Sequence, residues 1–432
     1  MTPSQKSPLF YGWKLSWLAC FGNFMIHGGG VYLMNAFIEP FSDLYGWSRG
    51  EISTALGIGS FCGMAAAPFL ASLAMRMSLR WIMLVGAIFG GISLFFLGWF
   101  TSLTMFTINF CVLWIMGQAC GGVIANALMS SWFVKHRGKA FGIVNFGMSF
   151  SGAILPFIAL VLIKYFTVQT ATAVLGGFTL LVLVPGVWFL VRDTPASMGL
   201  LPDGEESDTP AAPEEKKQDK GAAFDPLAGQ PAPTVNELLH SHLTWRVGIV
   251  FALGILAAAG IVGQLKPRFS DLGFDDFTAM GFMCATAFFV ACGKYFWGWV
   301  SDKFPPIRTA KILFAYNIGA YLLAFLPPSL FTLTIFAIFC GIGVGGTWTM
   351  LPAVVVDIFG RTHFMAAYRV VSIFIFIKSF GYIIMGQSYQ LTGSYDAAFI
   401  CFSVMSAVSL FLLPKTGTKY MRPKAKTAES AQ

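Results

Sequence analysis

Gly293-Lys294-Tyr295-Phe296-Trp297-Gly298-Trp299-Val300-Ser301-Asp302-Lys303-Phe304-Pro305-Pro306-Ile307-Arg308 is the stretch from which the rest of the chain can be read. It starts inside an apolar run that holds a lone ammonium group and ends in a short charged loop before the next apolar run. Lys294 precedes Asp302 by eight residues, or roughly 12 Å along a helix rising 1.5 Å per residue. That is too deep for its head to snorkel comfortably to an interface. A charge at such depth is expensive and points to function.

The surrounding composition is that of a chain whose solvent is lipid: 432 residues, 56% hydrophobic, 11% charged, with a mean hydropathy of +0.70. Soluble domains carry about 25% charged residues. The 44 Phe and 46 Gly suit helices that touch lipid with large side chains and each other with small ones. The net charge of +8 is therefore a matter of loops, and nucleic acid is not an expected partner.

A spanning helix needs about 20 mostly apolar residues, and twelve runs qualify. Six lie at 12–38, 50–74, 81–100, 104–130, 139–163 and 171–191, and six at 245–265, 277–300, 308–327, 330–356, 364–387 and 396–414. With the N-terminus in the cytoplasm, Arg49, Lys164, Lys266 and Arg268 are the only basic residues on the outer side, out of 28 Lys and Arg. This asymmetry puts both termini and the central loop in the cytoplasm. The expected organisation is an N-terminal six-helix bundle at 1–191, a linker at 192–243, a C-terminal bundle at 244–416 and a tail at 417–432.

The linker carries ten of the chain's 20 carboxylates and reads as a largely disordered tether. Thr234-x-x-Glu237 within it predicts a capping box that opens a short helix before the seventh span. The eight cysteines all fall in apolar runs without metal or disulfide spacing and read as small packing residues. No cleavable signal peptide is expected, since the first apolar run is too long.

The two halves echo one another. Met116-Gly117-x-x-x-Gly121-Gly122 returns as Cys340-Gly341-x-x-x-Gly345-Gly346 at an offset of 224, and Trp132-Phe133 as Ile358-Phe359 at 226. The loop after the second run returns after the eighth at 227, with Met75 in place of an acid equivalent to Asp302. Such repeats imply two related bundles of six helices.

Twelve spans split six and six, with the charged loop Gly298-x-x-x-Asp302-Lys303-x-x-x-x-Arg308, resemble the major facilitator superfamily over nearly the whole chain. Pro305 stands where that family usually has Gly. The chain is most similar to the monocarboxylate transporter and oxalate/formate antiporter branch. The match lies in Tyr11-Gly12-Trp13, Trp132-Phe133-x-x-x-Arg137-Gly138-x-Ala140-x-Gly142, Lys294-x-Phe296-Trp297-Gly298 and Asp357-Ile358-Phe359-Gly360. The resemblance implies an all-α membrane protein of twelve helices in two pseudo-symmetric bundles, working by alternating access.

Nothing supports an enzyme: there is no phosphate-binding loop, no nucleophile elbow and no cluster with metal-ligand spacing. No cofactor or metal is expected, and transport has to draw on a gradient rather than ATP. Away from the ends of the apolar runs the ionisable groups are His27, Lys294 and Lys378, with Glu39, Glu51, Arg246, His363 and Arg369 near the ends, and no carboxylate lies in the middle of any run. Two buried cations without buried anions make a site suited to an anion. Lys294 occupies the position at which the resembled branch has a substrate-binding Arg. Lys378 lies one turn past Ile375, where the antiporter-like relatives have a second cation, and the two positions share a helix face. Val290 stands where the monocarboxylate group has a proton-carrying Asp, so coupling by proton or by anion exchange is left open.

His27, followed by Gly28-Gly29-Gly30, together with Asn126, Asn145, Tyr295, Trp348 and Tyr382, are the polar or aromatic groups expected to complete the pocket around Lys294 and Lys378. Asp302, Arg308, Arg137 and Asp357 are expected to act in conformational switching rather than binding. The expected protein is a multi-pass transporter of a small organic anion, a mono- or dicarboxylate, in the plasma membrane of a bacterial cell (its inner membrane), functional as a monomer. The alternatives are an exporter of amphipathic drugs, which would be expected to present an acidic pocket, and a non-transporting membrane sensor.

Overall fold

The computed structural model describes residues 10–133, 137–201, 203, 233–360, 364–418 and 420. Most of the predicted linker and tail lie outside them. Among the described residues the structure is all helical. Twelve helical spans follow the twelve apolar runs, nine of them long and apolar enough by themselves to cross a membrane. The predicted capping box is present: Thr234 Oγ1 accepts from the Glu237 N–H and the Glu237 carboxylate accepts from the Thr234 N–H, opening Val235–Leu239.

The spans pair as a repeat requires. Span 2 (Arg49–Ala74) packs on span 4 (Leu103–Cys120), and its equivalent span 8 (Asp276–Lys303) packs on span 10 (Leu330–Phe359). The halves meet where span 2 lies against Ser379–Thr392 of span 11 and span 5 (Arg137–Tyr165) against span 8, two contacts that the repeat interchanges. Glycine permits the closest approach. A Cβ at Gly341 would lie 2.6 Å from the Thr286 carbonyl oxygen, and one at Gly345 would lie 2.8 Å from the Lys294 amide nitrogen. This G-x-x-x-G pair therefore holds span 10 against the backbone that carries Lys294. The echoing pair does something else: span 4 breaks after Cys120 and resumes as Val123–Trp132, and Gly117 and Gly121 face His27 and Asn23 of span 1.

Besides span 4, three spans depart from the simple rods the apolar runs predict. Span 1 runs seven residues further than expected: Tyr11–Gly22, two π-helical turns (Asn23–His27 and Gly29–Leu33), then Met34–Tyr45. Glu39, Pro40 and Asp43 end the apolar run but not the helix. Span 7 (His242–Gly263) breaks at Gln264 and continues as the short helix Leu265–Asp271. Span 11 (Phe364–Ile373, then Ser379–Thr392) is interrupted by the 3-10 segment Phe374–Lys378. π and 3-10 insertions inside long helices commonly mark functional positions. The interruptions of spans 1 and 11 contain His27 and Lys378.

The aromatic motifs at the start of span 1 and the end of span 4 form one clasp. The Trp13 and Phe133 rings are 4.7 Å apart, Tyr11 and Trp132 5.5 Å. The chain leaving span 6 (Val168–Leu190) is tied to the same clasp: Tyr11 Oη donates to the Leu190 carbonyl at 2.6 Å, and Trp132 Nε1 to the Arg192 carbonyl at 2.8 Å.

Candidate substrate-binding site

Spans 1, 5, 7, 8, 10 and 11 enclose a cavity of about 410 Å³ between the two halves, and both Lys294 and Lys378 line it. Its walls are Val31 and Tyr32 from span 1, Asn145 and Met148 from span 5, Ala258 and Val262 from span 7, Trp348 and Thr349 from span 10, and Tyr368 and Tyr382 from span 11. Among the described residues no carboxylate lines it. Lys294 Nζ donates to Ser149 Oγ at 2.6 Å, a bond from the C-terminal to the N-terminal half. Thr349 Oγ1 donates to the Lys294 carbonyl. Lys378 is 5% exposed, and its Nζ lies 4.9 Å from the Trp114 ring centroid and 5.6 Å from that of Trp348. These are cation–π distances. Both ammonium groups are thus held by neutral partners, and among the described residues neither is paired with an acid.

Trp348, Tyr382 and Asn145 line this cavity with the lysines, while three other expected residues do not. Tyr295 follows Lys294 in the chain, and the turn of the helix carries its ring to the outer surface. There it is 80% exposed beside Phe296 and Trp299. Asn126 belongs to the second piece of span 4, its Oδ1 buried without a hydrogen bond. His27 is half-buried behind Trp114, ring centroids 5.7 Å apart, with Nδ1 unpartnered. Ser149 and Trp114, which hold the lysines, were not anticipated, because a serine and a tryptophan inside apolar runs carry no mark of their role. Of the residues expected to switch conformation, Arg308 is exposed and Asp357 half-buried at the end of span 10. The side chains of Asp302 and Arg137 lie outside the described residues.

One end of the cavity is closed by charge. Lys266, buried at the start of Leu265–Asp271, pairs with Glu39 of span 1 and with Asp276 of span 8 at 2.6 Å. Arg49 at the start of span 2 pairs with Asp271, stacks its guanidinium 4.3 Å from the Tyr389 ring, and donates to Tyr395 Oη at 3.1 Å. Tyr395 donates to Gln264 Oε1 at 3.0 Å, and Gln264 Nε2 to Ser53 Oγ. Asn35 Nδ2 reaches across to the Val262 carbonyl at 2.9 Å. Lys164 of span 5 sits 4.2 Å from the Phe277 ring of span 8. Arg49, Lys164 and Lys266, three of the four basic residues that break the charge asymmetry, are therefore spent on joining the halves. The fourth, Arg268, lies between the Phe336 and Phe399 rings and donates to the Ala324 carbonyl at 2.6 Å.

Comparison with known proteins gives the same architecture. The family model of the Major Facilitator Superfamily matches residues 19–330 and 293–431. Monocarboxylate transporter 12 of Rattus norvegicus is 24% identical over 428 residues, covering 94% of this chain and 86% of its own. The uncharacterized MFS-type transporter YhjX of Escherichia coli (strain K12) is 23% identical, with 86% of each chain covered. A solved bacterial homolog of the human lysosomal transporter Spinster, inward-facing and unoccupied, superposes with a TM-score of 0.67 over 95% of both chains at 15% identity.

Proposed function

The chain belongs to the major facilitator superfamily, and on that footing we propose that it is a secondary transporter of a small organic anion, a mono- or dicarboxylate, moved by alternating access. The observation that carries this reading is the pair of ammonium groups, Lys294 and Lys378, lining one interhelical cavity without a protein carboxylate. The anion supplies the missing counter-charge, and the tyrosine and tryptophan walls supply apolar contact and hydroxyl donors. Similarity to a protein named a monocarboxylate transporter supports the class. The cavity offers no acid to a cationic drug, which favours the anion over the exporter alternative. With both termini and the linker in the cytoplasm of a bacterial cell, the ion-paired end faces outward.

A thermal-shift series with lactate, pyruvate, oxalate and succinate tests the class directly. A ligand at a hundredfold excess over its Kd stabilises the folded state by about 2.7 kcal/mol, so at least one carboxylate should raise the melting temperature while matched cationic amines do not. Stabilisation by amines alone would reverse the reading.

Ser149 supplies a second test. An incoming carboxylate competes with its hydroxyl for Lys294, and a hydrogen bond to a charged group is worth about 1.5–3 kcal/mol net. Ser149→Ala removes the competitor and should tighten anion binding by about ten- to a hundredfold. Weaker binding in this variant would make Ser149 a direct ligand of the anion instead.

A further inference from the structure

Spans 2 and 11 touch over one half of their length and part over the other. Towards the ion-paired end their backbones meet: a Cβ at Gly57 would lie 2.9 Å from the Ser379 carbonyl oxygen, and one at Gly386 would lie 3.1 Å from the Arg49 carbonyl oxygen. Contact ends at the middle of both spans, where the Phe61 and Phe376 rings stand edge to face with centroids 5.8 Å apart. Beyond that pair a gap of about 820 Å³ opens between the halves. Span 2 lines it from Phe61 to Met75 and span 11 from Phe376 back to Arg369, with Val123 of span 4 and Val235 of the short helix before span 7.

The gap is apolar in its wall and charged at its mouth. Its two serines already donate within their own helices, Ser72 Oγ to the Pro68 carbonyl at 2.9 Å and Ser372 Oγ to the Arg369 carbonyl at 3.1 Å. Enclosed water needs two to four polar partners, and an unfilled gap forfeits dispersion contacts along its lining, so hydrocarbon is what suits it. From Phe61 to Met75 is fourteen residues, about 21 Å along a helix, and the hydrocarbon of one leaflet is about 15 Å deep. The gap therefore runs from the middle of the bilayer to headgroup level. There Arg369 is exposed and, among the described residues, has no acid partner. Its long arm carries the guanidinium out to the headgroups. Arg76, directly after Met75, is exposed as well, and the acid of the short helix, Glu237, is engaged with the Thr234 N–H.

We propose that this gap binds one anionic phospholipid from the leaflet away from the ion-paired end, its phosphate on the Arg369 guanidinium and an acyl chain along the seam as far as Phe61 and Phe376. A guanidinium meets a phosphate through two parallel hydrogen bonds. With Arg76 beside it the mouth carries charge of one sign, which favours a net-negative headgroup over a zwitterionic one. The lipid also bears on the movement of the halves. Alternating access has to bring spans 2 and 11 together at this end, over the stretch that the acyl chain occupies. A lipid that binds only while they are apart stabilises that arrangement. None of this depends on which solute the protein carries.

The experiment uses full-length wild type, Arg369→Gln and Ala71→Trp, delipidated and titrated in micelles with dioleoyl phosphatidylglycerol or dioleoyl phosphatidylcholine, bound lipid being counted by native mass spectrometry. Wild type should hold one phosphatidylglycerol at least about tenfold more tightly than phosphatidylcholine, the size of one charge-assisted hydrogen bond. Arg369→Gln should lose most of that preference and still take either lipid weakly. Ala71 lines the gap and is exposed, so the indole in Ala71→Trp fills the gap without disturbing the core, and this variant should lose bound lipid of both kinds. Spin labels at Met77 and His240, in a protein whose native cysteines are replaced, report the gap in nanodiscs of phosphatidylcholine. Adding phosphatidylglycerol should enlarge the long-distance population, and Arg369→Gln should abolish that response. Equal affinity of wild type for the two lipids overturns the site, as does a preference that Arg369→Gln retains. One lipid still bound to Ala71→Trp as tightly as to wild type puts the acyl chain elsewhere and also overturns it. Retention of no lipid by wild type leaves the gap to another occupant and removes the proposal. Label distances indifferent to phosphatidylglycerol overturn the effect on the halves.

Discussion

Lys294→Ala and Lys378→Ala are each expected to abolish uptake of the anion in proteoliposomes. Each ammonium lines the cavity without a protein carboxylate, so a bound anion has two partners in wild type and one in either variant. Leaving one member of a buried ion pair uncompensated costs roughly 3–5 kcal/mol, on the order of a hundredfold to several thousandfold in affinity. The partners left behind are neutral, Ser149 Oγ for Lys294 and the Trp114 and Trp348 rings for Lys378, so neither alanine strands a charge. Folding should survive. Lys294→Arg should keep partial activity, since the planar fork can still meet a carboxylate, whereas Lys378→Arg has to fit a larger group between two indoles. Equilibrium binding of a labelled carboxylate to the purified variants measures the loss. Normal binding by both alanine variants would remove the charge argument altogether.

The fold was legible because its signal is coarse and repeated: twelve apolar runs, a charge bias across them and glycine pairs at nearly constant offset. The two lysines were legible for a related reason, since a charge inside a run of Phe, Val and Gly has few explanations. Their partners were not. Ser149 differs from Ser151, two residues on, only by the direction in which the helix points it, and Ser151 bonds its own helix at the Met148 carbonyl. Tyr295 was misplaced for the same reason: one residue along a helix turns a side chain by about 100°, and span 8 is apolar on nearly every face. The end of span 1 was cut short because Glu39 and Asp43 read as loop, while in the structure Glu39 is paired with Lys266 more than 220 residues away. Pairings of that range leave no local trace. The break in span 11 at Phe374–Lys378 was equally hidden, since a 3-10 turn and an α turn can be written with the same residues.

Lys266→Ala is expected to open the ion-paired end. Lys266 is 3% exposed and holds Glu39 of the N-terminal half and Asp276 of its own half; Glu39 is only 16% exposed, so its charge depends on that ammonium. Removing the ammonium leaves a largely buried carboxylate with only the more distant Arg49, at 3.8 Å. That penalty, roughly 3–5 kcal/mol, falls on the closed arrangement alone, because parting the halves returns Glu39 to water. Moving a two-state equilibrium from 1:99 to 99:1 takes about 5.5 kcal/mol, so most of that range is available to this one side chain. The second link, Arg49 to Asp271 with Tyr389 and Tyr395 behind it, keeps the shift from going to completion. The double variant with Arg49→Ala should go further than either alone. Val31 lines the cavity and is 9% exposed. A single cysteine there, in a protein whose eight native cysteines are replaced, reports the opening through its rate of reaction with an impermeant maleimide applied to the face that carries Glu39. The rate should rise by more than about tenfold in Lys266→Ala and rise again in the double variant. Anion affinity should change little, because the ion pairs close the cavity and do not line it. An unchanged rate would mean that apolar contacts between the halves hold this end shut, with the charges merely covering them.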